Sequence, residues 1–169
     1  SLSDLFCVER HKSHFLDMVK NRLDITFCNE QEISSLIDAK DFNDVVSFCK
    51  NNKRLIIITR GEKGSVVINN NDIVECESKK NLDIKDLTGA GDLFAAGFLH
   101  GYINNLPLQE SLELGTDMSS KIIQKISLIR IFLGALSVSF CHWLISDFGY
   151  FLSGGINILT GEPFPSIMV

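Results

Sequence analysis

Apolar residues along the chain switch between helical and alternating spacing, and the switches divide it into short elements. From His11 to Asn21, Phe15, Met18 and Val19 recur at helical spacing, which predicts a helix with one buried face. Leu23 to Phe27 reads as a short apolar strand that delivers Asn29 at its C-terminal end. Residues 30–37 and 42–51 return to the helical period. Arg54 to Thr59 contains Leu55, Ile56, Ile57 and Ile58 in a row, the mark of a buried strand with a parallel neighbour. Residues 65–68 and 73–76 flank Asn69-Asn70-Asn71-Asp72 and predict a hairpin. Helices over residues 90–102 and 108–123 complete the pattern. Strands alternating with helices predict an α/β layered sheet. In such sheets ligands bind beyond the carboxyl ends of strands, here near Asn29 and Gly61.

One stretch adds chemistry to this pattern. Asp86-Leu-Thr-Gly-Ala-Gly-Asp-Leu-Phe-Ala-Ala-Gly-Phe-Leu99 places a carboxylate beside a glycine loop that opens an apolar helix. Small residues let the backbone curl tightly. Free amides at the helix start, with the positive end of its dipole, make an anion site. Asp92 in the first turn stands ready to accept a proton while amides hold a phosphate, which suggests phosphoryl transfer to a hydroxyl. Two commoner motifs are excluded. A P-loop needs Lys-Ser or Lys-Thr after its last glycine, and neither glycine cluster has it. A dinucleotide fingerprint needs a third glycine where Phe94 stands. Taken alone, Gly-Ala-Gly-Asp reads first as a turn that caps a core helix, with Asp92 favouring its dipole.

Asp86-x-Thr-Gly-Ala-Gly-Asp-x-Phe-Ala-Ala-Gly resembles the C-terminal signature of the ribokinase family, the phosphofructokinase-B type sugar and nucleoside kinases. Upstream, Asn29-Glu30-Gln31-Glu32 resembles the family's Asn-x-x-Glu motif. Thr59-Arg60-Gly61-Glu62-Lys63-Gly64-Ser65 resembles its Thr-x-Gly-x-x-Gly nucleotide loop. The opening residues 3–10 are similar, more weakly, to bacterial members of the adenosine- or sugar-kinase type. The resemblance covers residues 1–125 and implies a three-layer ribokinase-like Rossmannoid sheet. It implies Asp92 as catalytic base and the amides of Gly89, Ala90 and Gly91 as the anion hole. Thr59, Gly61, Gly64 and Thr88 would line ATP. Asn29 and Glu32 would act on Mg2+ through water, since that ion keeps much of its hydration shell. Asn29 and Glu32 also read as a helix N-cap with an acidic first turn, and the two readings are compatible. The implied acceptor is a sugar or a nucleoside, with adenosine or a related ribonucleoside first.

The pattern departs from the family in two places. Family members are longer and carry this signature in their last quarter, whereas here it begins near the middle of the chain. The chain is therefore expected to be a truncated kinase without its lid and acceptor-binding glycines, and an inactive one is consistent with that. The alternative is a non-catalytic nucleotide-binding or interaction fragment, able to self-associate through a sheet edge left exposed. Second, the chain holds 16 Lys and Arg and 21 Asp and Glu, yet only Arg130, Asp147 and Glu162 lie after Lys125. Residues 126–169 thus form a divergent apolar tail. Ile131 to Ile145 is short of the roughly 20 residues that a membrane span prefers, and extension back to Ile126 brings in Arg130. A buried helix pair, a membrane-inserted tail and a frame-shifted end compete, and the abrupt change favours the last.

Charge and cysteine content narrow the partners. A net charge of -5 and the absence of a basic stripe argue against nucleic acid. Cys7, Cys28, Cys49, Cys76 and Cys141 form no Cys-x-x-Cys pair and read as reduced thiols of a cytoplasmic protein. No basic-then-apolar leader opens the chain. Cys7, His11 and His14 share a helical spacing but lack a fourth ligand for zinc. Neither a Gly-x-Ser-x-Gly elbow nor a His-Glu-x-x-His helix occurs.

Overall fold

The computed structural model describes residues 1–125. The tail, with every reading of it, lies outside the described residues. Four strands form one sheet in the order β1 (Ile25–Asn29), β2 (Leu55–Thr59), β3 (Ser65–Asn69), β4 (Asp72–Cys76). β1 and β2 run parallel, with Asn29 paired to Thr59 at their carboxyl ends. β2 to β3 and β3 to β4 are antiparallel. The aliphatic run of β2 reports burial on both faces. It does not report direction, since one neighbour of β2 is parallel and the other is not.

Side chains of β2 separate the two faces. Ile56 and Ile58 join Val66 and Ile68 against α1 (Leu5–Arg10), α3 (Glu30–Ile37) and α4 (Phe42–Asn52) through Val8, Ile33, Leu36, Val45 and Cys49. Leu55 and Ile57 join Val67 on the other face, against α5 (Ala90–Ile103) and α6 (Leu108–Ile123), through Phe94, Phe98 and Leu112. Helices on both faces of a sheet make the expected three layers. Phe98 is fully buried and meets the Phe27 ring edge-on at 5.7 Å between centroids. Burial of such a side chain is worth roughly 1.5–3 kcal/mol. α5 and α6 approach closely because a Cβ at Gly97 would lie 2.6 Å from the Leu114 carbonyl.

The first helical region differs from its expectation. Asp4 caps α1, its Oδ1 accepting from the Cys7 amide at 2.8 Å. The chain then breaks at His11 into α2 (Lys12–Asp17) and a π-helical turn over Met18–Arg22. That turn closes on Leu23, whose amide donates to the Met18 carbonyl at 2.9 Å. Leu23 is thereby committed to the turn, and β1 starts at Ile25 and not at Leu23. α3, α4, α5, α6 and the hairpin fall where the periodicity put them, to within two residues.

Candidate functional site

The parallel pair β1 and β2 delivers two loops to the same edge of the sheet. At the end of β1, Asn29 caps α3. Its Oδ1 accepts from the Glu32 amide at 2.8 Å, and Glu32 Oε2 accepts from the Asn29 amide at 2.9 Å. Glu32 Oε1 accepts from Asn29 Nδ2 at 2.8 Å, so both carboxylate oxygens hold Asn29. This reciprocal box satisfies two orphan donors of the helix start and fixes the Glu32 rotamer. Glu32 is only 6 % exposed.

At the end of β2, Arg60 begins a tight loop. Its amide donates to the Gly64 carbonyl at 2.8 Å, and the Gly64 amide donates to Gly61 at 3.0 Å. Gly64 sits at φ 89 and ψ -139, a region open essentially to glycine alone. A Cβ there would lie 2.1 Å from the Cys76 carbonyl, because the loop packs against the end of β4. Ser78 Oγ donates to the Glu62 carbonyl at 2.6 Å and ties this loop to the segment that follows β4.

The third loop opens α5. Its approach is anchored where the Lys85 and Asp86 amides donate to the Ile123 carbonyl at the end of α6. Asp86 is buried, and its Oδ1 accepts from the Thr88 amide at 3.0 Å and from Thr88 Oγ1 at 2.8 Å. Gly89, at φ 77, turns the backbone into the helix. The Ala90 amide folds back on the Leu87 carbonyl at 3.2 Å. Within the described residues, no protein acceptor lies against the Gly91 or Asp92 amide. Of the expected Gly89, Ala90 and Gly91 amides, only that of Ala90 is engaged among the described residues, and the Asp92 amide joins those left free.

Two adjoining cavities collect the three loops. A smaller one of about 130 Å³ is lined by Asn29, Glu32, Thr59, Gly91 and Asp92 together with Phe27 and Phe94. A larger one of about 370 Å³ is lined by Thr59, Gly61, Gly64, Ala90 and Gly91, with Leu82, Ile84, Leu87 and Ile123 as an apolar wall. Thr59, Gly91 and Phe94 are common to both. Among the residues expected at the site, Thr88 and Gly89 line neither cavity: they shape the turn. Ser65 Oγ, at the rim of the larger cavity, is buried without a hydrogen-bond partner.

The profile of the pfkB family of carbohydrate kinases matches residues 6–132. The chain belongs to that family. It is similar to a cytidine kinase of Thermococcus kodakarensis, 36 % identical over 110 residues, covering 63 % of this chain and 39 % of that protein. A ribokinase of Dictyostelium discoideum is 30 % identical over 118 residues, covering 58 % of this chain and 37 % of that one. Among solved structures, the adenosine kinase from Sinorhizobium meliloti superposes with a TM-score of 0.71 at 35 % identity, covering 81 % of this chain and 43 % of that chain. The chain thus spans about two-fifths of the length of these relatives.

Sequence reasoning missed one part of this edge. Arg60 Nε lies 2.9 Å from Glu30 Oε2, and Arg60 Cζ stacks 3.6 Å from the Phe42 ring centroid. Lys63 Nζ reaches the same carboxylate at 3.5 Å. The hydrogen bond from Arg60, with its charge and that of Lys63, holds the Glu30 carboxyl below its ordinary range. The signal was present in the register: Glu30 and Arg60 each follow the last pair of the β1–β2 ladder. Among the described residues no three His, Cys, Asp or Glu side chains converge on a metal position, and no helix is long and apolar enough to cross a membrane.

Proposed function

We propose that this chain carries the nucleotide-binding part of an ATP-dependent kinase that phosphorylates a hydroxymethyl group of a sugar or nucleoside. The observation that carries the reading is the junction of the two cavities. Asn29, Glu32, Thr59, Gly91 and Asp92 come from three separate segments and line one small cavity beside a larger, apolar-walled one.

The residues suit the ligands. Free amides of Gly91 and Asp92 at the start of a 14-residue helix suit a phosphate. The wall of Leu82, Ile84, Leu87 and Ile123 suits a planar base, and the orphaned Ser65 hydroxyl is ready for a polar atom of the ligand. Asn29 and Glu32 offer oxygens without a third ligand, which fits an ion held through water. When bound, magnesium screens the phosphate charge and orients the terminal phosphoryl group.

Asp92 is exposed, lines the smaller cavity and makes no side-chain hydrogen bond or ion pair among the described residues, so its carboxylate is available as a base. It takes the proton of the acceptor hydroxyl as that oxygen bonds to the γ-phosphorus of ATP and the bridging bond to ADP breaks, while the helix-start amides stabilise charge on the moving group. The acceptor is a ribonucleoside first, on the strength of similarity to a cytidine kinase and an adenosine kinase. A steady-state phosphotransfer assay over ribonucleosides and simple sugars tests the reading. Asp92→Asn is expected to lower turnover about 100- to 10,000-fold, roughly 3–5 kcal/mol of transition-state stabilisation, with the unfolding temperature unchanged. Full turnover in that variant rejects Asp92 as the base.

A further inference from the structure

The parallel pair β1 and β2 is bracketed by an ion pair at each end. Asp24 and Arg54 precede the two strands, and Arg54 Nη1 lies 2.9 Å from Asp24 Oδ1. Glu30 and Arg60 follow them, at the same 2.9 Å between Arg60 Nε and Glu30 Oε2. The geometry is alike and the settings are not. The Asp24 side chain is 90 % exposed, which leaves its pair screened by water. Glu30 and Arg60 are 27 % and 18 % exposed, the guanidinium lies flat on Phe42, and Lys63 reaches the same carboxylate.

The two partners sit one residue beyond the site residues. Glu30 follows Asn29, whose side chain is locked to Glu32, so it moves with the start of α3. Arg60 follows Thr59, and its own amide closes the Gly61–Gly64 loop on the Gly64 carbonyl. From this juxtaposition we infer that Arg60 is a positioning residue, which holds the nucleotide loop in register with the Asn29–Glu32 box. The assignment rests on the kinase reading above. Its consequence is coupling. Without Arg60 each loop keeps its own hydrogen bonds, but the distance between the metal side and the nucleotide side is no longer set by a near-buried, planar contact.

Calorimetric titration of the full chain with ATP, once with excess chelator and once with magnesium, measures that coupling as the ratio of the two affinities. Arg60→Ala is expected to shrink the magnesium enhancement at least 5-fold while metal-free ATP binding changes less than 2-fold. Arg60→Lys, which keeps the charge but not the flat stacking, is expected to recover part of the ratio. Arg54→Ala removes the equivalent pair at the far end of the same strands and is expected to leave the ratio at its wild-type value. Should Arg60→Ala fail to fold, Glu30→Gln carries the same expectation from the other partner.

Two results overturn the assignment while leaving the kinase reading intact: an unchanged ratio in a folded Arg60→Ala or Glu30→Gln chain, or an equal loss in Arg54→Ala. A wild-type chain that binds no ATP in either condition overturns the kinase reading, and the assignment with it.

Discussion

Gly64 and Gly91 both line the larger cavity, and the structure keeps them for opposite reasons. At Gly64 the protein itself leaves no room: the backbone is left-handed and a Cβ would strike the Cys76 carbonyl at 2.1 Å. At Gly91 nothing among the described residues lies within 4 Å of the same added atom, and the backbone is ordinary first-turn helix. Packing therefore explains Gly64 completely and Gly91 not at all. Under the proposed function, a glycine that the described fold does not require, facing a cavity with a free amide behind it, is where an approaching ligand would supply the missing contact.

Substitution separates the two. Gly64→Ala is expected to cost roughly 3 kcal/mol or more of folding stability, from left-handed strain and overpacking together. Denaturant titration checks it, and a loss under 1 kcal/mol would mean that the loop relaxes easily and that the contrast with Gly91 is false. Thr88→Val tests the frame of the other loop. Loss of the Thr88 Oγ1 bond to buried Asp86 should lower stability by about 1 kcal/mol while the Thr88 amide stays bound.

The smallest effect concerns pH. The folded Glu30 carboxyl is held below its ordinary value of 4.5, chiefly by the Arg60 hydrogen bond. The unfolded chain thus binds the proton more readily. The stabilisation from this group is whole above about 4.5 and is lost as pH falls through the lower folded value. In Arg60→Ala the folded value returns toward the ordinary one, so that share of the acid dependence should flatten. Thermal unfolding between pH 3 and pH 6 reads it, and an identical slope in both chains would contradict it.

Much of the fold and of the candidate site is legible in the sequence, and the reason is locality. The Asn29–Glu32 box closes within one helical turn, so its spacing alone identifies it. The apolar periods of α5 and α6 and the Asn-rich hairpin are equally local. The first helices were less legible because Phe6 is 68 % exposed and the chain breaks at His11, which blurs the period there. The Glu30–Arg60 contact spans thirty positions and follows from strand pairing, which no local pattern states. The Gly-Ala-Gly turn was read correctly as a helix start, but the fold-back of the Ala90 amide onto Leu87 depends on where Asp86 and Ile123 hold the loop. The distinction between Gly64 and Gly91 was illegible for the same reason, since both are simply glycine until the Cys76 carbonyl is in place.

Thermal unfolding of wild type and Gly91→Ala, each with and without magnesium-ATP, tests the central claim most directly. A ligand at about 100 times its dissociation constant stabilises a protein by roughly 2.7 kcal/mol. Wild type should shift upward by that order. Gly91→Ala should unfold at or slightly above the wild-type temperature when unliganded, since alanine suits a helix better by up to about 1 kcal/mol. Its shift with magnesium-ATP should be largely lost. A Gly91→Ala chain that shifts as far as wild type, or one that is destabilised without ligand, would contradict the account.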